Sequence, residues 1–257
     1  MKKIIVIGVF ISLIFTLSAL GTEKISDQQF LKLCIQGPDS KIIEAISNGA
    51  NINAKDKDGF TPLMIAAAKG RVDAVKALIE AGADINAQNK YGFTALLNTS
   101  VRAIIIMLLD AGADVNTKNE DGYTALMYAA MGKRPETLEL LLNAGAYVNE
   151  RDHNGRTALI HAVFGNSENT TILLKAGADV NARDNDGKTA LIWAAESYKY
   201  YPPEIKSPDE IVNALIDGGA DVNIKDNAGK TAEDYAVENE KLIGTDAFDR
   251  LVDLSEE

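Results

Sequence analysis

One cysteine, Cys34, and two histidines, His153 and His161, are all that a 257-residue chain offers to thiol or imidazole chemistry. A single thiol closes no intrachain disulfide, so an oxidising compartment adds no covalent staple. Within Phe30-Leu31-Lys32-Leu33-Cys34-Ile35 the cysteine reads as a small buried hydrophobe rather than a thiol that pairs between chains. No Cys and His cluster has metal-ligand spacing, and neither a metal nor a cofactor is expected. The chain also lacks a phosphate-cradling glycine loop with its lysine and a nucleophile elbow. Asp and Asn residues beside the glycines lack the further carboxylate that closes a calcium loop. Acidic pairs occur without any desolvating context, so they read as a solvated face and the chain is not expected to be an enzyme. Basic residues are scarce, 26 Lys and Arg against 37 Asp and Glu, for a net charge of -11. That balance argues against nucleic acid and against anionic membrane surfaces as partners, because both need clustered Lys and Arg.

Long apolar runs are absent except at the start. Met1-Lys2-Lys3 precedes an uncharged stretch from Ile4 to Leu20, the layout of a secretory signal. Ala19 and Gly21 stand three and one before a possible cut, which makes residues 1–21 a signal peptide and Thr22 the first mature residue. An uncleaved N-terminal anchor over residues 4–20 is the competing reading, and would be the only membrane contact. No cysteine follows the run, against a lipid anchor. The expectation is export across an inner membrane to a periplasmic or secreted location.

What is abundant is repetition. Asp58-Gly59-Phe60-Thr61-Pro62-Leu63 returns as Asp121-Gly122-Tyr123-Thr124-Ala125-Leu126 and as Asp186-Gly187-Lys188-Thr189-Ala190-Leu191. The same phrase surrounds Gly92, Gly155 and Gly229, with spacings of 33, 30, 33, 32 and 42 residues between successive glycines. A second phrase, Ala81-Gly82-Ala83-Asp84-Ile85-Asn86, recurs near Asn116, Asn149, Asn181 and Asn223, and Asn48 to Asn53 begins the series. The glycine suits a tight turn with positive φ. The Thr after it suits an N-cap, and helical apolar spacing follows. In the unit after Gly59, Leu63, Ala66 and Ala67 share one face. Val72, Val75, Leu78 and Ile79 form the apolar stripe of a second helix that Gly82 terminates.

These two linked phrases resemble the ankyrin repeat, from about residue 27 to residue 240. The resemblance implies an all-α repeat solenoid of stacked helix-turn-helix units with short β-hairpin loops. The histidine of the family phrase is replaced by Met64, Leu97, Met127, Ile160 and Ile192, which puts its usual side-chain bonding in question. On this reading residues 22–57 form an N-terminal capping repeat. Residues 58–228 form five repeats with turn glycines 59, 92, 122, 155 and 187, and residues 229–257 form a C-terminal capping repeat and charged tail. His161 and Trp193 fall on first helices, where His161 reads as packed rather than reactive and Trp193 reads as core.

Two units are irregular. The one at Gly92 is three residues short near Thr99 and Ser100, which reads as a shortened turn between its two helices. Its second helix, Val101 to Asp110, is densely apolar: either well buried, or an exposed strip that docks a partner. The unit at Gly187 carries about nine extra residues near 198–206, including Tyr198, Tyr200 and Tyr201, read as a loop between intact helices. Ser207, Pro208 and Glu210 would restart the helix with a capping box.

The residue after each turn glycine reads Phe60, Phe93, Tyr123, Arg156, Lys188 and Lys230. The ankyrin resemblance implies that such positions line a concave face, aromatic in its first half and basic in its second. Its neighbours Lys57, Asp58, Lys90, Tyr91, Glu120, Asp121, His153, Asn154, Asn185 and Asp186 join the candidate partner-binding set. The expected function is protein–protein interaction with a protein or peptide, as a monomer. The alternative is an envelope scaffold or protective subunit held to a periplasmic enzyme, and a third reading, an enzyme built on an unrecognised carboxylate pair, requires a concave pocket with two perturbed carboxyls.

Overall fold

The computed structural model describes residues 24–132, 134–197, 208–239 and 242–255. Residues 1–21, expected to be a signal peptide, and the tyrosines Tyr198, Tyr200 and Tyr201 lie outside the described residues, as does Ser207. The described residues form thirteen helices: α1 (Asp27–Gln36), α2 (Asp39–Ser47), α3 (Pro62–Ala68), α4 (Val72–Glu80), α5 (Arg102–Asp110), α6 (Ala125–Met131), α7 (Pro135–Asn143), α8 (Ala158–Ala162), α9 (Ser167–Lys175), α10 (Ala190–Ser197), α11 (Pro208–Asp217), α12 (Ala232–Ala236) and α13 (Asp246–Ser255). None of them is long and apolar enough to cross a membrane.

First helices that follow a turn glycine start on the threonine two places after it, and Thr94 caps the single turn of the short unit in the same way. Thr61, Thr94, Thr124, Thr157 and Thr189 accept the amide of the residue three places on, at 3.3–3.5 Å. That residue is Met64, Leu97, Met127, Ile160 or Ile192, all buried. Losing the family's histidine therefore leaves the cap intact and adds apolar core. Second helices end on a glycine: Gly82, at φ 86°, lets the Gly82 and Ala83 amides turn back to Ile79 and Leu78 carbonyls.

The turns between units are built by one side chain. Asp56 Oδ1 accepts the Asp58 and Phe60 amides, both at 2.9 Å. Asn89, Asn119, Asp152, Asp184 and Asp226 do the same in their units. Tips are then joined by single backbone bonds, such as Lys90 N–H to Asp58 O and His153 N–H to Asp121 O. Among the described residues the hairpin loops contain no named strand. Their only bridge is Arg151 with Thr157, so each loop is a side-chain-organised turn rather than a ribbon. Gly122 is required at its tip, where φ is 83° and an added Cβ would stand 2.8 Å from the His153 amide nitrogen.

A second seam runs through the Asp-x-Asn phrase. Asn53, Asn86, Asn116, Asn149 and Asn181 each accept a backbone amide of the next unit, at 2.8–2.9 Å. Asn86, Asn116 and Asn149 also donate to Gly112, Gly145 and Gly177 carbonyls. Between the two seams, first helices pack on first helices and second on second around one continuous core.

The structure corrects four readings. The stripe of α4 is Ala74, Val75 and Leu78. Val72, its first residue, is 38% exposed and Ile79 is half-buried, because the small Ala74 rather than Val72 meets the neighbouring pair. Trp193 is half-buried rather than core, since its indole N–H needs an acceptor at the core's edge. The stretch after residue 240 is more than a tail: α13 buries Ala247 and Leu251, and Arg250 bonds Asn213 and Asp217 at 2.7 Å. In the short unit, the deletion removes a helix rather than shortening a turn. Ala95 to Asn98 form a single turn, while α5 buries Ile104, Ile105 and Leu108 beneath it. Glu210 bonds the Ser167 hydroxyl at 2.6 Å.

Candidate functional site

Six turns place their post-glycine residues in one row, all half-buried. In four of the six turns the Asx that builds the turn also reaches the residue nine places on, in the first helix of the same unit. Tyr128 accepts from the Asn119 amide at 3.1 Å. His161 Nε2 meets Asp152 at 2.9 Å, the Trp193 indole donates to Asp184 at 2.7 Å, and the Tyr235 hydroxyl donates to Asp226 at 2.7 Å. The turn thus orients the ring, and the ring carries the row.

The rings and cations are in contact along that row. Phe93 meets Tyr128 at 6.2 Å between centroids, Tyr123 meets Tyr128 at 5.2 Å, and Tyr123 meets His161 at 4.9 Å. Arg156 then lies over Trp193 at 4.4 Å, Lys188 over Trp193 and Tyr235 at 4.8 and 4.9 Å, and Lys230 over Tyr235 at 4.9 Å. Phe60 packs on the core but joins no ring pair among the described residues. Each cation is also neutralised: Arg156 by Asp184 at 3.7 Å, Lys188 by Glu196, and Lys230 by Glu238 at 2.9 Å.

Burial and charge set the protonation states. Burial pushes the His161 imidazole below its ordinary value despite the Asp152 bond, so it is neutral and Nε2 carries the proton that the carboxylate accepts. Burial raises the Tyr123 and Tyr128 phenols, with the Asp152 charge adding at Tyr123. Burial and the bond to Asp226 raise Tyr235 further. At Asp226 burial acts upward, but the Tyr235 hydroxyl and two backbone amides outweigh it and hold the carboxyl below its ordinary value. All three tyrosines therefore present neutral phenols across the neutral range.

At the tips, Lys57, Lys90, Tyr91, Glu120, Asp121, His153, Asn154, Asn185 and Asp186 are exposed, and Asp58 is half-buried beside Lys90 at 3.8 Å. The structure brings these beside the row, one tip per unit. The turn-building Asn119, Asp152, Asp184 and Asp226, and their partners Tyr128, Trp193 and Tyr235, were not in the sequence-derived set. The signal for them is the nine-residue spacing from an Asx to an aromatic or His, repeated in four units. No group of three or more His, Cys, Asp or Glu able to hold a metal ion occurs among the described residues.

Comparison with known families matches this architecture. Residues 31–119 and 97–184 match the family model described as ankyrin repeats (3 copies), and residues 186–227 match that of the single ankyrin repeat. A search of curated proteins finds no match. Ankyrin repeats are protein–protein interaction modules, generally without enzymatic activity. Matched over well over half its length, the chain belongs to the ankyrin-repeat family.

Proposed function

We propose that this chain is an exported interaction protein that holds a protein or peptide segment along the row of rings and cations, the concave face of its stack. The observation that carries this reading is the row of contacts: rings link Phe93, Tyr128, Tyr123 and His161, cations over rings link Arg156, Trp193, Lys188, Tyr235 and Lys230, and exposed tips flank both runs. Half-buried aromatic and guanidinium groups, already oriented by the turns, lose little entropy when a partner covers them. The acidic tips at Glu120, Asp121 and Asp186 favour a partner with some basic character, within the chain's net charge of -11. Export rests on the leader's charged-then-apolar order, and a periplasmic or secreted location follows from it. The tyrosines at 198, 200 and 201 add contact area on the same reading.

The test is a pull-down from the protein's own cell envelope with two variant sets. One replaces Phe60, Phe93 and Tyr123 by Ser; the other replaces Lys90 and Glu120 by Ala and Tyr91 by Ser, leaving the ring contacts untouched. A protein recovered by the wild type and lost with the folded tip set supports the row and its tips as the site. Equal recovery by all three would falsify this placement.

A further inference from the structure

The three-residue deletion in the short unit leaves an opening in the stack. Where neighbouring units lay one first helix against the next, Ala95 to Asn98 supply only a single turn against α6. The second helices α5 and α7 are likewise the loosest neighbours in the series. Between them lies a cavity of about 340 Å³. Leu96, Leu97, Ile105, Leu141, Ala125 and Ala129 line it with apolar groups. Tyr128 lines it too, while its hydroxyl is engaged by Asn119.

The lining also has polar groups: Thr99 and Ser100 from the shortened loop, and Arg134 and Thr137 from the start of α7. Arg134 donates to the Ser100 carbonyl at 3.1 Å, which ties the start of α7 to the loop. It makes no ion pair among the described residues, so its charge is uncompensated at the mouth. Thr137 is 7% exposed and lines the cavity with a hydroxyl that no described residue bonds. That hydroxyl is not sealed from solvent, so it is free to bond a group that enters the cavity. The site thus pairs an apolar lining with one exposed cation and one free hydroxyl.

We propose that this cavity is a ligand site for a single-chain amphiphile with a carboxylate head. The apolar chain would occupy the space against Leu96, Ile105, Ala129 and Leu141, and the carboxylate would meet Arg134 and the Thr137 hydroxyl. An apolar cavity of ~150 Å³ admits benzene, so this volume takes a chain on the order of ten carbons. An isolated anion gains nothing from the apolar lining, and a neutral hydrocarbon makes no use of Arg134 or the Thr137 hydroxyl.

Decanoate, kept below its micelle concentration, is the probe, with decanol as the uncharged control. Titration calorimetry of the full chain is expected to show decanoate binding at least fivefold tighter than decanol, with Arg134→Gln bringing the two together. Two separate fillers, Ala129→Leu and Thr137→Leu, are each expected to abolish both signals while the melting temperature holds. Nuclear Overhauser contacts from decanoate methylenes to the Ile105 methyls locate the ligand in the wild type without any variant. The proposal fails if decanoate gives no contact to Ile105, if either folded filler binds as well as wild type, or if decanol matches decanoate in the wild type. Binding that survives filling lies elsewhere on the chain and equally overturns it.

Discussion

His161 Nε2 lies 2.9 Å from Asp152 Oδ2, nine residues earlier, and both side chains are almost wholly buried. The imidazole is held neutral in the fold, below its ordinary value of 6.5. Below that pH the unfolded chain takes up a proton that the folded chain resists. Stability is therefore full above pH 6.5 and is lost as pH falls from there toward the folded value. The urea midpoint is expected to hold from pH 8 to 7 and to decline by pH 5.5. His161→Tyr, which copies the Tyr128 register, is expected to flatten that decline. Parallel slopes for both proteins would show that His161 is not its source. The depressed Asp226 and Asp234 carboxyls act in a lower window, below their ordinary value of 3.8.

Asp184 accepts two turn amides through Oδ1 and the Trp193 indole through Oδ2. Asp184→Ala orphans all three donors and is expected to cost about 3 kcal/mol. Asp184→Asn keeps one oxygen for the turn but turns an amide donor toward the indole, for about 1–2 kcal/mol. Trp193 is the only tryptophan, so its emission reports the break directly, and unchanged emission with an unchanged midpoint in the alanine variant would exclude the bond as a support.

Gly122 and Gly145 have nearly the same backbone, φ 83° and 87°, but different surroundings. A Cβ at Gly145 meets open space, whereas at Gly122 it meets the backbone of the next tip. Gly145→Ala is expected to cost about 1–2 kcal/mol for the left-handed conformation alone. Gly122→Ala adds a displacement of the next turn and is expected to cost roughly 3 kcal/mol or more. Denaturant midpoints compare them, and equal losses would mean the tip yields freely.

Cys34 is fully buried, and burial pushes its thiol up to about 12. In the folded chain it is a neutral core side chain, so a thiol-specific chromogenic reagent is expected to react only as the first helix pair opens. Its rate should rise with urea in step with loss of helical signal. Rapid labelling in native buffer would contradict this burial.

The repeats were legible because their determinants are local: a glycine with positive φ, a threonine cap and an apolar period fall within a dozen residues. The second seam was visible as a phrase, yet Asn116 reaching the Tyr147 amide links residues 31 apart, and no local rule reports that partner. Loss of the helix at 95–98 was hidden because Ala95-Leu96-Leu97 is as helical in composition as its neighbours. The missing residues, not the present ones, decide that outcome. The charges of Arg156, Lys188 and Lys230 were readable as a basic half, but their neutralisation by Asp184, Glu196 and Glu238 was not. Tyr128 and Tyr235 stayed outside the candidate set, and Trp193 read as core, because helical position alone does not distinguish a ring bonded to a turn from a ring packed in the core.

The asparagine seam has a mechanical consequence. Each of its rungs spans only one junction, so force applied along the stack is borne in series, never shared among rungs. A chain pulled from its two ends would yield one unit at a time, lengthening by a step each time a rung parts. A 33-residue unit extends to about 110 Å, so the pulling trace would be a comb of near-equal teeth, and the protein would act as a ratcheted spring rather than a brittle rod.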